Sequence, residues 1–119
     1  MTHPLICLVI GGVSGALAAI AGVGGGIVMV PAFVYFLGMG QKNAAATSLA
    51  VIIFTSIAAS IKNSGNQLVD WRVVLYTALS SAVIAWFAAD LLKQLSNEVL
   101  TRAFAVLVIC IGFYMLLRK

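Results

Sequence analysis

The chain has 119 residues, 63% hydrophobic and 8% charged, with seven Lys and Arg against three Asp and Glu for a formal charge of +4. Soluble domains carry about 25% charged residues, whereas the mean hydropathy here is +1.15, so a soluble globular domain is excluded and residues 1–119 read as one integral membrane domain. The basic residues stand singly in loops and at segment ends, the pattern of membrane-flanking positions, and this excludes nucleic acid as a partner.

The first apolar segment is predicted from Pro4 to Ala21. No Lys or Arg precedes it in Met1-Thr2-His3-Pro4 and no A-x-A cleavage pattern follows, so it reads as structure rather than as a removed signal peptide. Gly11, Gly15, Ala19, Gly22 and Gly26 recur every three or four residues, a small-residue stripe on which another helix can approach closely. Gly11, Gly15 and Ala19 are read as packing positions. The segment then meets Gly22-Val23-Gly24-Gly25-Gly26. Each glycine costs roughly 1 kcal/mol of helix stability relative to alanine, and unsatisfied peptide groups in hydrocarbon cost several kcal/mol each. Unwound backbone inside a bilayer usually lines a site for a solute or ion.

The second segment, Ile27 to Leu37, has 11 residues, about half of the ~20 that a full crossing requires. The favoured arrangement is a re-entrant hairpin with the glycine cluster at its tip. The alternatives are a first segment that spans and is completed by the second as a broken helix, or a stretched return leg. Pro31 lies close enough to the helix start to be tolerated there, or kinks the short helix. Gly38 falls in its C-cap region and Asn43 is the expected N-cap of the third segment, Ala44 to Ile61.

Along the third segment Asn43, Thr47, Ser48, Thr55, Ser56, Ser60 and Asn63 form a broad polar stripe. Lys62 to Gln67 is a turn, and Asp70 caps a fourth segment, Trp71 to Leu92, whose Trp71 and Arg72 read as interfacial anchors. Asp90, three residues before Lys93, is read as interfacial, with proton coupling as the alternative role. Ser96 caps a fifth segment, Val99 to Leu117, with Glu98 in its first turn. Cys7 and Cys110 lie in distant apolar segments without accompanying ligands, so packing is their expected role, and neither a metal nor another cofactor is expected. The fold class is therefore an all-α integral membrane protein, a broken or re-entrant glycine-interrupted helix pair followed by three transmembrane helices.

With three crossings after Lys42, one side carries Lys42, Lys93 and Arg102 and the other Lys62, Arg72, Arg118 and Lys119. Three against four is almost no positive-inside bias. Dual insertion and an antiparallel homodimer are one reading. The other is that Arg72 and Arg102 lie within helices and carry no topological information.

The chemistry is expected at the break. Consecutive glycines let backbone N–H groups converge, and Ile27 begins a helix whose free first-turn amides and positive dipole end favour an anion. Gly22, Gly24, Gly25, Gly26 and Ile27 are the candidate substrate-binding residues there, the bland alternative being a hinge without ligand. Asn43, Thr47 and Ser48 are added as neutral donors from the third segment, although such hydroxyls also serve as packing glue. Without Lys or Arg in the apolar centres, binding would be weak and reversible, as transport needs.

Gly11-x-x-x-Gly15 leading to Gly22-x-Gly24-Gly25-Gly26 and Pro31, then Ala46-Thr47-Ser48-Leu49, the Asn63 to Gly65 turn, Asp70-Trp71-Arg72 and Leu100 to Phe104 together resemble the TauE/SafE sulfite exporter family. The resemblance implies a permease of a bacterial inner membrane for sulfite, organosulfonates or related anions, with substrate contacts near the break. Family members typically contain two such repeats and this chain one, which implies a homodimer or pairing with a homologous half. A single His and the lack of an acid pair or metal-ligand spacing argue against an enzyme. An anion channel and a non-transporting membrane subunit are the alternatives to a transporter.

Overall fold

The computed structural model describes residues 4–118, so Met1 to His3 and Lys119, which entered the leader and charge arguments, lie outside the described residues. Five helices follow one another: α1 Pro4–Ala21, α2 Gly26–Leu37, α3 Gln41–Gly65, α4 Trp71–Gln94 and α5 Asn97–Leu117. No strand occurs among the described residues. By length and hydropathy α1, α3, α4 and α5 can each cross a membrane, and α2 is the shorter apolar helix. At about 1.5 Å per residue α2 reaches only ~18 Å.

The glycine cluster is the tip of the expected helical hairpin. Gly25 lies against Ser14 and Ala18 of α1, while Phe36 near the end of α2 shares a shallow pocket with Leu5 and Ile6 at the start of α1. The two helices therefore run antiparallel. Gly38, at φ +64°, closes α2 by the left-handed C-cap expected of glycine, its N–H donating to the Phe33 carbonyl. The chain then turns within three residues into α3, which runs back along α2 until Ile52 meets Gly24 and Gly26. Ile52 is the twelfth of the 25 residues of α3, so the break lies beside the middle of a membrane-length helix.

The core forms where the three elements meet. Ile10, Met29, Val30, Phe33 and Ala44 are buried, with Ile6, Leu37, Val51 and Phe104 packed around them. Ser14 is fully buried beside them and satisfies its hydroxyl by donating to the Ile10 carbonyl of its own helix. Gly25 explains how tightly α1 and α2 join. Its φ is +74°, and a Cβ there would lie 2.9 Å from the Ser14 carbonyl oxygen, 3.3 Å from the Met29 methyl and 3.4 Å from Ala18 Cβ. Only glycine provides both that conformation and that approach.

Caps follow sequence chemistry in two of three places. The Asp70 side chain accepts from the backbone N–H groups of Arg72 at 3.0 Å and Val73 at 3.3 Å, and Ser96 accepts from Val99 at 3.3 Å. Asn43 is not the N-cap of α3. The helix begins earlier, with extended Gly40 as its cap and the Ala44 N–H donating to the Gly40 carbonyl at 2.9 Å, which places Asn43 in the first turn. A partner from another element replaces the missing side-chain cap: Asn97 Oδ1 accepts from the Lys42 backbone N–H at 3.1 Å. The Lys42 ammonium also donates to the Lys93 carbonyl at 3.0 Å, placing a cation at the C-terminal end of α4. These two bonds tie the α4–α5 corner to the start of α3, so Lys42 and Lys93 share one end of the molecule, as the loop count required. Helix α3 also runs further than expected, through Lys62 to Gly65, because the Asn66, Gln67 and Leu68 amides close its end by donating to the Asn63 and Ser64 carbonyls.

Replacing Gly25 with Ala is expected to lower stability by about 2 kcal/mol, since left-handed backbone alone costs ~1–2 kcal/mol with a Cβ present and the Ser14 carbonyl must move. Gly12→Ala, where a Cβ meets nothing within 4 Å, is expected to be neutral or stabilising by up to ~1 kcal/mol. Thermal melting of both variants in detergent checks the contrast.

Candidate functional site

Between the tip of the hairpin and the second half of α3 lies a cavity of about 200 Å³. The α1 end and the break contribute Ala18, Ala19, Gly22 and Gly24 to its wall, and α3 contributes Thr55, Ser56, Ala59, Ser60 and Asn63. The α3 residues recur at four-residue steps and so share one face. Small residues on the α1 side keep the space open, and neutral polar groups on the α3 side give it hydrogen-bonding capacity.

Several hydroxyls of the described residues are already spent on their own helix, although those of Thr47, Ser64 and Thr77 outside this wall are not. Ser14, Ser48, Ser80, Ser81 and Thr101 each donate to a carbonyl of their own helix, and Thr55 does so to Ile52 at 3.1 Å. The side chains of Ser56, Ser60 and Asn63 hold no hydrogen bond within the described residues. Two hydroxyls and one carboxamide thus face the cavity with donors to spare. The break adds backbone: α2 starts two residues beyond cavity-lining Gly24, and its Val28 and Met29 amides donate to the Gly25 carbonyl at 3.1 and 2.9 Å. The amides of Gly26 and Ile27 precede any intrahelical acceptor, at the positive end of the helix.

The expected binding residues divide into three groups. Gly22 and Gly24 line the cavity. Gly25 is buried against α1, Gly26 packs on Ile52, and Ile27 turns its side chain toward α5, so none of these three lines the cavity. Asn43, Thr47 and Ser48 belong to the first half of α3, with Thr47 about 12 Å along the axis from Thr55, and none lines this cavity. The Ser48 hydrogen is already donated to the Ala45 carbonyl at 2.8 Å. Counting outward from the α2–α3 turn identifies the half of the polar stripe that meets the break, because Gly26 and Ile52 each lie thirteen positions from Met39.

Other candidate features lie elsewhere. No neighbour comes within 4 Å of a Cβ placed at Gly11 or Gly15, so that part of the small-residue stripe faces outward, while Ala19 joins the cavity wall. Asp90 accepts from Lys93 at 3.0 Å with both side chains well exposed near the end of α4. A larger groove of about 500 Å³ between α2 and α5 is lined mainly by Ile27, Pro31, Val34, Phe104 and Val108. Its apolar walls suit hydrocarbon rather than an anion.

Comparison with known proteins adds the family. Residues 2–119 match the family model described as Sulfite exporter TauE/SafE. The chain is 29% identical over 123 residues to a probable membrane transporter protein of Haemophilus influenzae, covering 98% of this chain and 47% of that protein. It is 26% identical over 121 residues to the probable membrane transporter protein YunE of Bacillus subtilis, covering 96% and 44%, and 25% identical over 108 residues to one from Xylella fastidiosa, covering 89% and 41%. The chain thus spans less than half the length of these curated relatives. No solved structure matches it.

If the cavity binds an oxyanion, Ser56→Ala combined with Ser60→Ala is expected to weaken sulfite binding by about tenfold or more, because a hydrogen bond to a charged group contributes ~1.5–3 kcal/mol. Both serines are exposed in the single chain, so the melting temperature should hold. Titration calorimetry and a thermal melt on the same preparation read the two effects separately.

Proposed function

The chain belongs to the sulfite exporter TauE/SafE family, and on that premise we propose that it forms one repeat of a secondary transporter for small sulfur-containing anions, with the cavity at the glycine break as its half of the substrate site. The observation that carries the reading is the meeting of unwound glycine backbone with unspent hydroxyl and amide groups along the second half of membrane-length α3. Transporters use interrupted helices in this way because half-helix ends present free amides to anionic groups at membrane depth. Neutral donors suit the task, since a site that must release its cargo on the far side cannot hold it as a buried cation would.

The other half of the site comes from a second repeat, either another copy of this chain or a homologous half. Two features support this. The curated relatives are more than twice as long as the matched stretch, and α4 is exposed along its length from Trp71 to Leu91 and buries no residue among those described. A long apolar helix with Thr77, Ser80 and Ser81 in its middle is suited to pack against a second repeat. The near-even distribution of basic residues over the two ends accommodates an antiparallel pair.

In proteoliposomes the chain is expected to move sulfite or a small sulfonate, and the Ser56→Ala and Ser60→Ala double variant, at two exposed positions of the cavity wall, to lose most of that flux while its melting temperature holds. Conductance without coupling would indicate a channel instead. Absence of flux together with stoichiometric capture of a larger protein would indicate a non-transporting subunit. Cysteines introduced near the carboxyl end should react with impermeant reagents from both sides of the membrane. Labelling from one side alone would rule out the antiparallel pair and leave the cavity untouched.

A further inference from the structure

The wall of the cavity at the break contains no charge. Its residues are small apolar ones and the neutral polar groups of Thr55, Ser56, Ser60 and Asn63. Lys62 immediately precedes Asn63 but is exposed and lies outside the lining. Lys42 and Lys93 occupy the opposite end of α3, where Lys42 is held by the Lys93 carbonyl and Lys93 by Asp90. Arg102 pairs with Glu98 at 3.0 Å, and Arg72 and Arg118 stand at helix ends. A second copy facing the first would bring the same neutral groups, because no Lys or Arg lies in the middle of any helix.

An anion entering such a cavity exchanges water for dipoles alone. The cost of desolvating an ion rises with the square of its charge, whereas its attraction to a fixed set of neutral donors rises only in proportion to charge. A dianion therefore costs about four times as much to desolvate as a monoanion of the same size, for about twice the attraction. The neutral wall therefore discriminates by charge most strongly when that charge is concentrated on a small oxyanion. Acceptors are present as well as donors: the Asn63 carbonyl and the serine oxygens can accept a hydrogen bond from a protonated ligand, as Lys or Arg could not. A protonated oxyanion has a use for that acceptor, and a dianion has none.

We infer that this cavity selects singly charged oxyanions, namely small sulfonates and hydrogensulfite, over doubly charged ones such as sulfate and the sulfite dianion, and that Ser56, Ser60 and Asn63 set the preference. The inference rests on the reading of the cavity as the substrate site. It adds a rule of charge to a choice of substrate otherwise defined by element. It also makes sulfite handling depend on pH through the protonation of the ligand, with no titrating group required in the wall.

The test uses the purified chain with three probes: methanesulfonate, singly charged throughout; sulfate, doubly charged throughout; and sulfite, which passes from hydrogensulfite to the dianion as pH rises through neutrality. Calorimetric titration on the acid and alkaline sides of neutrality is expected to give an unchanged affinity for methanesulfonate, sulfate at least about 30-fold weaker, and sulfite weakening about tenfold toward alkaline pH. Sulfate binding within about threefold of methanesulfonate on both sides would overturn the charge rule while leaving the cavity as an anion site. Failure of methanesulfonate and sulfite alike to bind would overturn the substrate-site reading beneath it. Ser60→Lys places a cation at the wall on a side chain long enough to reach toward water, and should raise sulfate relative to methanesulfonate by about tenfold or more. A folded Ser60→Lys protein with an unchanged ratio would overturn the assignment to this wall, and the unsubstituted chain carries the test if that variant does not fold.

Discussion

The approach of Gly25 to the Ser14 carbonyl holds the rest of the arrangement in place. Two apolar helices gain little from each other inside a bilayer through the hydrophobic effect, because lipid tails are equally apolar, and close backbone contact supplies the attraction instead. Here α2 is seated on α1 at its N-cap, Gly25, whose missing side chain leaves 2.9 Å between an ideal Cβ position and the Ser14 oxygen. Because α2 is anchored at that end, its other end reaches only to Leu37, and the chain must turn back at once through Gly38 to Gly40. That turn, in turn, sets which residues of α3 pass the break.

The cavity is a consequence of unequal lengths. Helix α3 continues beyond the hairpin, while α1 stops at Ala21 and gives way to glycine. In the space between them, side chains on α3 have no partner on the other wall, and the groups that face it are Ser and Asn rather than Leu or Ile. In water such groups would be unremarkable surface. At membrane depth their hydrogen bonds must go to their own helix, to another helix, to water or to a solute, and Ser56, Ser60 and Asn63 have not turned back to their own helix.

Most of the apolar surface remains uncovered in the single chain, as it must in a protein whose solvent is lipid. The distribution is uneven all the same. The first three helices enclose every residue of the small core, whereas α4 and α5 bury none fully. Helix α5 is held at its start through Asn97 and packs on the core through Phe104, while the bond recorded from another element to α4 is the one from Lys42 to the Lys93 carbonyl near its C-terminal end. The α1–α3 unit with its cavity is thus the self-contained part of the repeat. Helix α4 is the part whose neighbours lie outside it.

The sequence by itself determined the class, the order of the helices and the location of the break, because hydropathy over some twenty residues, the glycine cluster, Gly38 and the Asp70 and Ser96 caps are local signals that act within a turn or two. Helix α1 has the bounds expected of it, and α2 and α4 differ by one or two residues at one end. One local reading failed, and another met residues it had not named, for a common reason. Asn43 has the chemistry of a cap, but Asn97, 54 positions away in the chain, occupies the role at the start of α3. Thr47 and Ser48 have the chemistry of a binding pair, but the antiparallel register of α2 and α3 carries Thr55, Ser56, Ser60 and Asn63 to the glycines instead. A stripe of hydroxyls along a helix records which face is polar and not the height at which another element meets it. That height was decided only in the tertiary structure, by the turn at Gly38 and the seating of Gly25 on α1.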